Sequence, residues 1–138
     1  LSTIAHIIDL THGIQVHVSP NELLPYHATA SGLICLAHMD KDRVESFFSE
    51  GLNQYTSDTV TDVDSLRNSL KTVRKLGYAR SQGGFELDVV GIAVPVFNHR
   101  NRCAGAVAVA APSSRMTTQH EQNILPALRD AARKIKIN

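Results

Sequence analysis

The sequence predicts an α+β fold: a mostly antiparallel, twisted sheet with helices packed against it. Three observations carry this expectation. Residues 88–115, DVVGIAVPVFNHRNRCAGAVAVAAPSSR, read as two apolar strands joined by a polar turn at His99–Arg102. Residues 62–76 repeat apolar side chains at helical spacing. The elements run strands, helices, strands, helix, without the strict strand–helix alternation that builds a parallel sheet.

Taken in order, residues 3–18 read as a hairpin turning around Asp9–Gly13, and Pro20 and Pro25 mark the loop after it. A helix is expected from about Ala30 to Met39, and Asp40 can cap a second one carrying Val44, Phe47 and Phe48, which Gly51 closes. Residues 52–61 are polar and turn-rich. From Asp62 to Leu76, Val63, Leu66, Leu70, Val73 and Leu76 form one apolar stripe, Arg67, Lys71 and Arg74 lie outside it, and Gly77 is the natural stop. A short strand around Tyr78 and a Gly83-Gly84 turn lead into the 88–115 hairpin. Pro95 inside the hairpin's first strand implies an edge position or a bulge. The last helix is expected to start at the capping box Thr118-x-x-Glu121, with Pro126 kinking its interior.

The chain's 138 residues suit one domain with a real core, and its 43% apolar and 20% charged residues are ordinary for a globular domain. A net charge of +1 gives the chain as a whole no bias toward nucleic acid or an anionic membrane, and no apolar run approaches the roughly 20 residues that span a bilayer. Cys35 and Cys103 lie inside apolar segments and are expected as buried free thiols in a reducing cytoplasm. Leu1 sits at the edge of a strand-like run, so residues 1–138 are read as a single domain of which the first elements are missing.

The hairpin's faces are unequal. Val90, Ile92 and Val94 alternate with Val89, Gly91 and Ala93, and Val107 and Val109 oppose Ala104, Ala106, Ala108 and Ala110. One face is bulky and the other nearly bare. A bare face is either covered closely by a helix or leaves room for a ligand.

Residues for covalent chemistry are sparse. His6-x-x-Asp9-x-x-His12 is the best metal candidate, yet on a continuous strand the two histidines would stand about 20 Å apart with Asp9 opposite, so no metal is expected. Ser113-Ser114-Arg115 lacks the glycines of a nucleophile elbow. Glu86 and Asp88 share a strand face, where charged edges are common. Gly83-Gly84 precedes a strand and so is not a phosphate loop. Arg129, Arg133, Lys134 and Lys136 suit the C-terminal end of a helix dipole. No enzyme and no cofactor is expected.

Three segments carry a resemblance. Leu24-Pro25-Tyr26-His27-Ala28-Thr29-Ala30-Ser31-Gly32, leading into Leu36-Ala37, resembles the loop-to-helix entry of the effector-binding domain in IclR-type bacterial transcription regulators. So do Leu76-Gly77-Tyr78-Ala79 and the run from Gly91-Ile92-Ala93-Val94-Pro95-Val96-Phe97 to Ala111-Pro112-Ser113-Ser114-Arg115. Their order and spacing match the family over nearly the whole chain. The resemblance implies a GAF-like fold with a ligand cavity on one face of the sheet and a small-molecule effector. It also implies a homodimer or tetramer, cytoplasmic and without membrane contact. DNA would be bound only through an N-terminal winged helix-turn-helix domain outside these residues.

The resemblance places the effector between the sheet and the Ala30-Ser31-Gly32 entry. Free N–H groups at a helix start carry partial positive charge and can hold a carboxylate. The opposite wall would be Val89, Gly91, Ala108 and Ala110, with Ser81 before it. Family members that take very small oxoacids tend to carry Asp, Cys or Ser on this wall. Here it is mostly small and apolar, which suits an aromatic or longer aliphatic carboxylate. Phe85 and Leu87 are expected near the cavity mouth, and His27 is expected to fix the loop. Two other readings stay open: a small GAF-like redox enzyme, which needs exposed low-pKa cysteines, and a dimerisation module without a ligand.

Overall fold

A computed structural model of the chain describes residues 23–137. The expected N-terminal hairpin, with His6, Asp9 and His12, lies outside the described residues. Within them the order is α1 (Ala30–Ala37), α2 (Lys41–Ser49), α3 (Val63–Leu76), β1 (Ala79–Gln82), β2 (Val89–Phe97), β3 (Cys103–Pro112) and α4 (Thr118–Lys134). The strands form an antiparallel sheet in the order β1-β2-β3. The expected α+β architecture is present.

Two clusters of side chains hold the layers together, one on each face of the sheet. Val90, Ile92 and Val94 point to α4 and pack with Leu128, Met116, Ile124 and Leu125. On the other face Ala79 and Ala93 lie under α1, whose Ile34 and Leu36 join Leu66, Leu70 and Val73 of α3 and Val44 and Phe48 of α2. The bulky face therefore meets a helix through long side chains, while the bare face lets α1 come close. Burying each of these large apolar side chains contributes about 1.5–3 kcal/mol before the ordering entropy is subtracted.

The helix ends follow their side chains. Asp62 accepts the Ser65 N–H at 2.8 Å to start α3, and Gly77, at φ 74°, ends it with its N–H on the Val73 carbonyl. Arg67 of α3 grips Glu45 of α2 through both guanidinium nitrogens, with Nη2 2.7 Å from Oε2, and lies over the Phe48 ring.

Several expectations need correction. The helix expected to reach Met39 ends at Ala37, where the His38 imidazole reaches back to the Ile34 carbonyl at 2.9 Å. Asp40 precedes α2 without a side-chain cap. Leu76, placed on the α3 stripe, is 47% exposed because it is the last residue before the chain turns away. The α4 cap is Thr117, whose hydroxyl accepts the His120 N–H at 3.2 Å; Glu121 instead takes Arg80 Nε of β1 at 2.8 Å. Pro95 lies in the central strand. It is tolerated because β1 pairs β2 only as far as Ala93, and the register shifts at Val96/Phe97 just beyond.

Candidate functional site

The site begins with the turn before α1. Thr29 is extended (φ −124°, ψ 151°), so its hydroxyl donates to the Pro25 carbonyl at 2.8 Å and accepts the Gly32 N–H at 3.1 Å. Gly32 carries no side chain because the loop passes directly over it: a Cβ there would collide with the Tyr26 backbone and lie 2.6 Å from the Pro25 carbonyl oxygen. This corrects one part of the expected anion site, because the Gly32 N–H is already satisfied. The remaining donors are the Ala30 and Ser31 N–H groups and the Ser31 hydroxyl. None of them has a hydrogen-bond partner among the described residues.

The sheet brings the expected wall residues to this helix start. Ser81 of β1, Gly91 of β2 and Ala110 of β3 stand in one cross-strand row; Ala79, Ala93 and Ala108 form the next. A Cβ on Gly91 would lie 2.9 Å from the Ser81 hydroxyl, 3.3 Å from the Ala30 methyl and 4.0 Å from the Ala30 nitrogen. Ala30, Ser81 and Gly91 thus meet at one point, and the Ser81 hydroxyl has no partner among the described residues. In the second row Ala79 and Ala93 are fully buried under α1, whereas the β3 member of each row, Ala108 and Ala110, is exposed. The bare face is therefore filled at β1 and β2 and open at β3. Val89 is half-buried, opposite Pro112.

Loops from distant parts of the chain close over this corner. His27 Nε2 donates to the Asn53 carbonyl at 2.8 Å, fixing the loop as expected, and its ring packs between Phe47 and Tyr55. Tyr55 meets Phe85 edge-on at 5.3 Å. The Thr59 hydroxyl donates to the Gly84 carbonyl at 2.6 Å and the Thr56 hydroxyl to that of Gly83. Phe85 is thereby held against the 53–59 loop, whereas Leu87, expected beside it, is 54% exposed. Thr56, Thr59 and Tyr55 were not singled out in the sequence. The turn-rich composition of residues 52–61 marks a loop but not what it holds.

Cys35 and Cys103 are free and half-buried, and burial pushes both thiols above their usual pKa. That is the wrong direction for a redox-active thiolate. No cluster of metal-ligating side chains occurs among the described residues, and no described helix is long and apolar enough to cross a membrane. The corner offers hydrogen-bond donors beside apolar space, and among the described residues no nucleophile there is paired with a base. Chemically, it can bind.

An α+β domain with hydrogen-bond donors beside apolar space defines the class, and comparison with known proteins gives the family. The family described as "Bacterial transcriptional regulator IclR C-terminal" matches residues 4–137. The chain belongs to the IclR family, in the region of its C-terminal domain. It is 33% identical over 122 residues to the probable transcriptional regulator SauR of Cupriavidus necator, covering 86% of this chain and 48% of that protein. It is 34% identical over 120 residues to the Pca operon regulatory protein of Acinetobacter baylyi, covering 82% of this chain and 41% of that one. Among solved structures, an IclR transcriptional regulator from Silicibacter superposes with a TM-score of 0.91 at 38% identity, over 95% of this chain and 52% of its own. The inducer-binding domain of Acinetobacter PobR, a double mutant in complex with 3-hydroxybenzoic acid, does so with a TM-score of 0.78 at 31% identity, over 83% and 69%. The chain spans about half the length of the curated relatives it matches, or less.

Proposed function

We propose that this domain senses a small-molecule effector on behalf of a transcription regulator and is not an enzyme. The effector's carboxylate is held by the Ala30 and Ser31 N–H groups and the Ser31 and Ser81 hydroxyls. Its apolar remainder lies along Val89, Gly91, Ala108 and Ala110. The observation that carries this reading is the coincidence of unpartnered donors at the start of α1 with exposed alanines on the β3 side of a sheet face that α1 covers at Ala79 and Ala93. Donors left unmet in a partly closed corner favour a ligand that meets them, at about 1–3 kcal/mol for each group that would otherwise be stranded. A wall without polar side chains favours an aromatic or longer aliphatic carboxylate, and the 3-hydroxybenzoic acid named with PobR is such a molecule.

The effector would act by population shift, favouring one arrangement of the protomers and so one spacing of DNA-binding domains elsewhere in the parent protein. The test is calorimetry with 3-hydroxybenzoate and a series of aliphatic carboxylates. Ala108→Leu with Ala110→Leu fills the open strand without disturbing the core, so the melting temperature should hold while binding is lost. Binding that survives the double change places the ligand elsewhere.

A further inference from the structure

One group of exposed apolar side chains lies at the end of the sheet away from this corner. Phe97, Ile135 and Ile137 are 42%, 41% and 37% exposed, and they line an open groove of about 560 Å³ between the C-terminal ends of β2 and α4. The groove's charged lining is entirely cationic: Arg129, Arg133 and Lys136, with His99 beside them. Arg129 reaches the Leu76 carbonyl at 3.3 Å, and Leu76 is itself exposed. Asp130 is taken up by Lys134 at 2.7 Å, leaving Arg133 a loose 3.7 Å contact, and Lys136 has no ion pair among the described residues. An apolar patch rimmed by cations, with no carboxylate in its lining, is the signature of a docking surface whose partner is apolar and acidic.

The chain presents such a partner on its own surface. At the tip of the β1–β2 loop, Leu87 is exposed between the exposed carboxylates Glu86 and Asp88. The tip is pre-shaped. Asp88 sits at φ 59°, its carbonyl accepts the Ser113 N–H at 2.7 Å, and the Gly83 N–H donates to the Val89 carbonyl at 2.9 Å. Loop and groove lie at opposite ends of β2, about 26 Å apart at ~3.3 Å per residue, so one copy cannot dock on itself. Two copies with antiparallel β2 strands can exchange loop for groove at both ends, which closes the assembly with two-fold symmetry.

We propose that the Glu86-Leu87-Asp88 tip of one copy docks in the Arg129/Arg133/Lys136 groove of a second copy of this chain, reciprocally. Leu87 covers the apolar floor and the two carboxylates meet the cations. The loop runs between Ser81 and Val89, so ligand-dependence of the contact would rest on the pocket reading above; docking itself does not, and it is tested without ligand.

The experiment is sedimentation equilibrium on three proteins: the chain itself, Glu86→Lys/Asp88→Lys, and Arg133→Glu/Lys136→Glu, each checked for fold by circular dichroism. Both reversals should weaken self-association about tenfold or more, as should raised salt. An equimolar mixture of the two should recover it, because a cationic loop then faces an acidic groove at one end and the natural pair faces itself at the other. A monomeric parent chain, reversals without effect, or a mixture that fails to recover would each overturn the proposal. So would decanoate binding to a monomeric chain with loss in Arg133→Glu/Lys136→Glu, which would assign the groove to an amphiphilic anion.

Discussion

At Gly91 a single missing Cβ admits both the Ser81 hydroxyl and the Ala30 methyl. Gly91→Ala should cost about 1 kcal/mol of stability, because the Ser81 hydroxyl can rotate away while Ala30, held in the packed α1, must give by a few tenths of an ångström. It should also weaken carboxylate binding by pushing Ala30 away from the sheet. Urea denaturation and calorimetry read the two effects separately, and unchanged affinity would detach Gly91 from the site. Gly91, Ala108 and Ala110 were legible in the sequence because side chains alternate along a strand, so bare positions sort onto one face without knowledge of the fold. The use of the Gly32 N–H was not legible. It depends on Thr29 turning its hydroxyl inward, and that follows from the loop's path over Gly32.

Among the elements, α2 and α3 are joined by the Glu45–Arg67 pair. The Arg67 guanidinium holds the Glu45 carboxyl below its usual value of 4.5. A folded-state pKa below the unfolded one means that the pair's stabilisation is fully present above that usual value and is lost as pH falls through the lowered one. Glu45→Gln should therefore melt slightly below the parent at neutral pH, and the gap should close in acid; both groups are solvent-exposed, so the difference is small. A gap independent of pH would assign the effect to packing of Arg67 on Phe48. Helix α3 was legible from end to end but for Leu76, because its stripe, cap and terminal glycine agree. The start of α4 was misplaced by one residue. Thr117 and Thr118 are equal candidates by residue type, and the choice turns on Glu121 being drawn to Arg80 of β1, a contact 41 residues away in sequence.

For the whole molecule, β2 lies between two cores that do not touch. Ile34→Ala on one side and Leu128→Ala on the other should each cost about 3 kcal/mol. Their effects should add, since the sheet separates them, yet each variant should unfold in one transition because both cores share β2. Matched fluorescence and circular-dichroism curves check this, and a split transition would show that the faces fold independently. The layered architecture was legible from the unequal hairpin faces. The roof over the site was not, because Thr59 and Gly84 are 25 residues apart and a hydroxyl-to-carbonyl bond leaves no periodic trace.

The contrast between buried Ala79 and Ala93 and exposed Ala108 and Ala110 has an evolutionary consequence. Specificity of a sensor changes by substitution, and most substitutions on a binding wall also strain a core. In the pocket we propose, the two β3 positions border the ligand space, and being exposed they carry little of the fold's stability, so larger or polar side chains can be tried there at small thermodynamic risk. New effectors would be reached by walking along one strand, with every intermediate still folded.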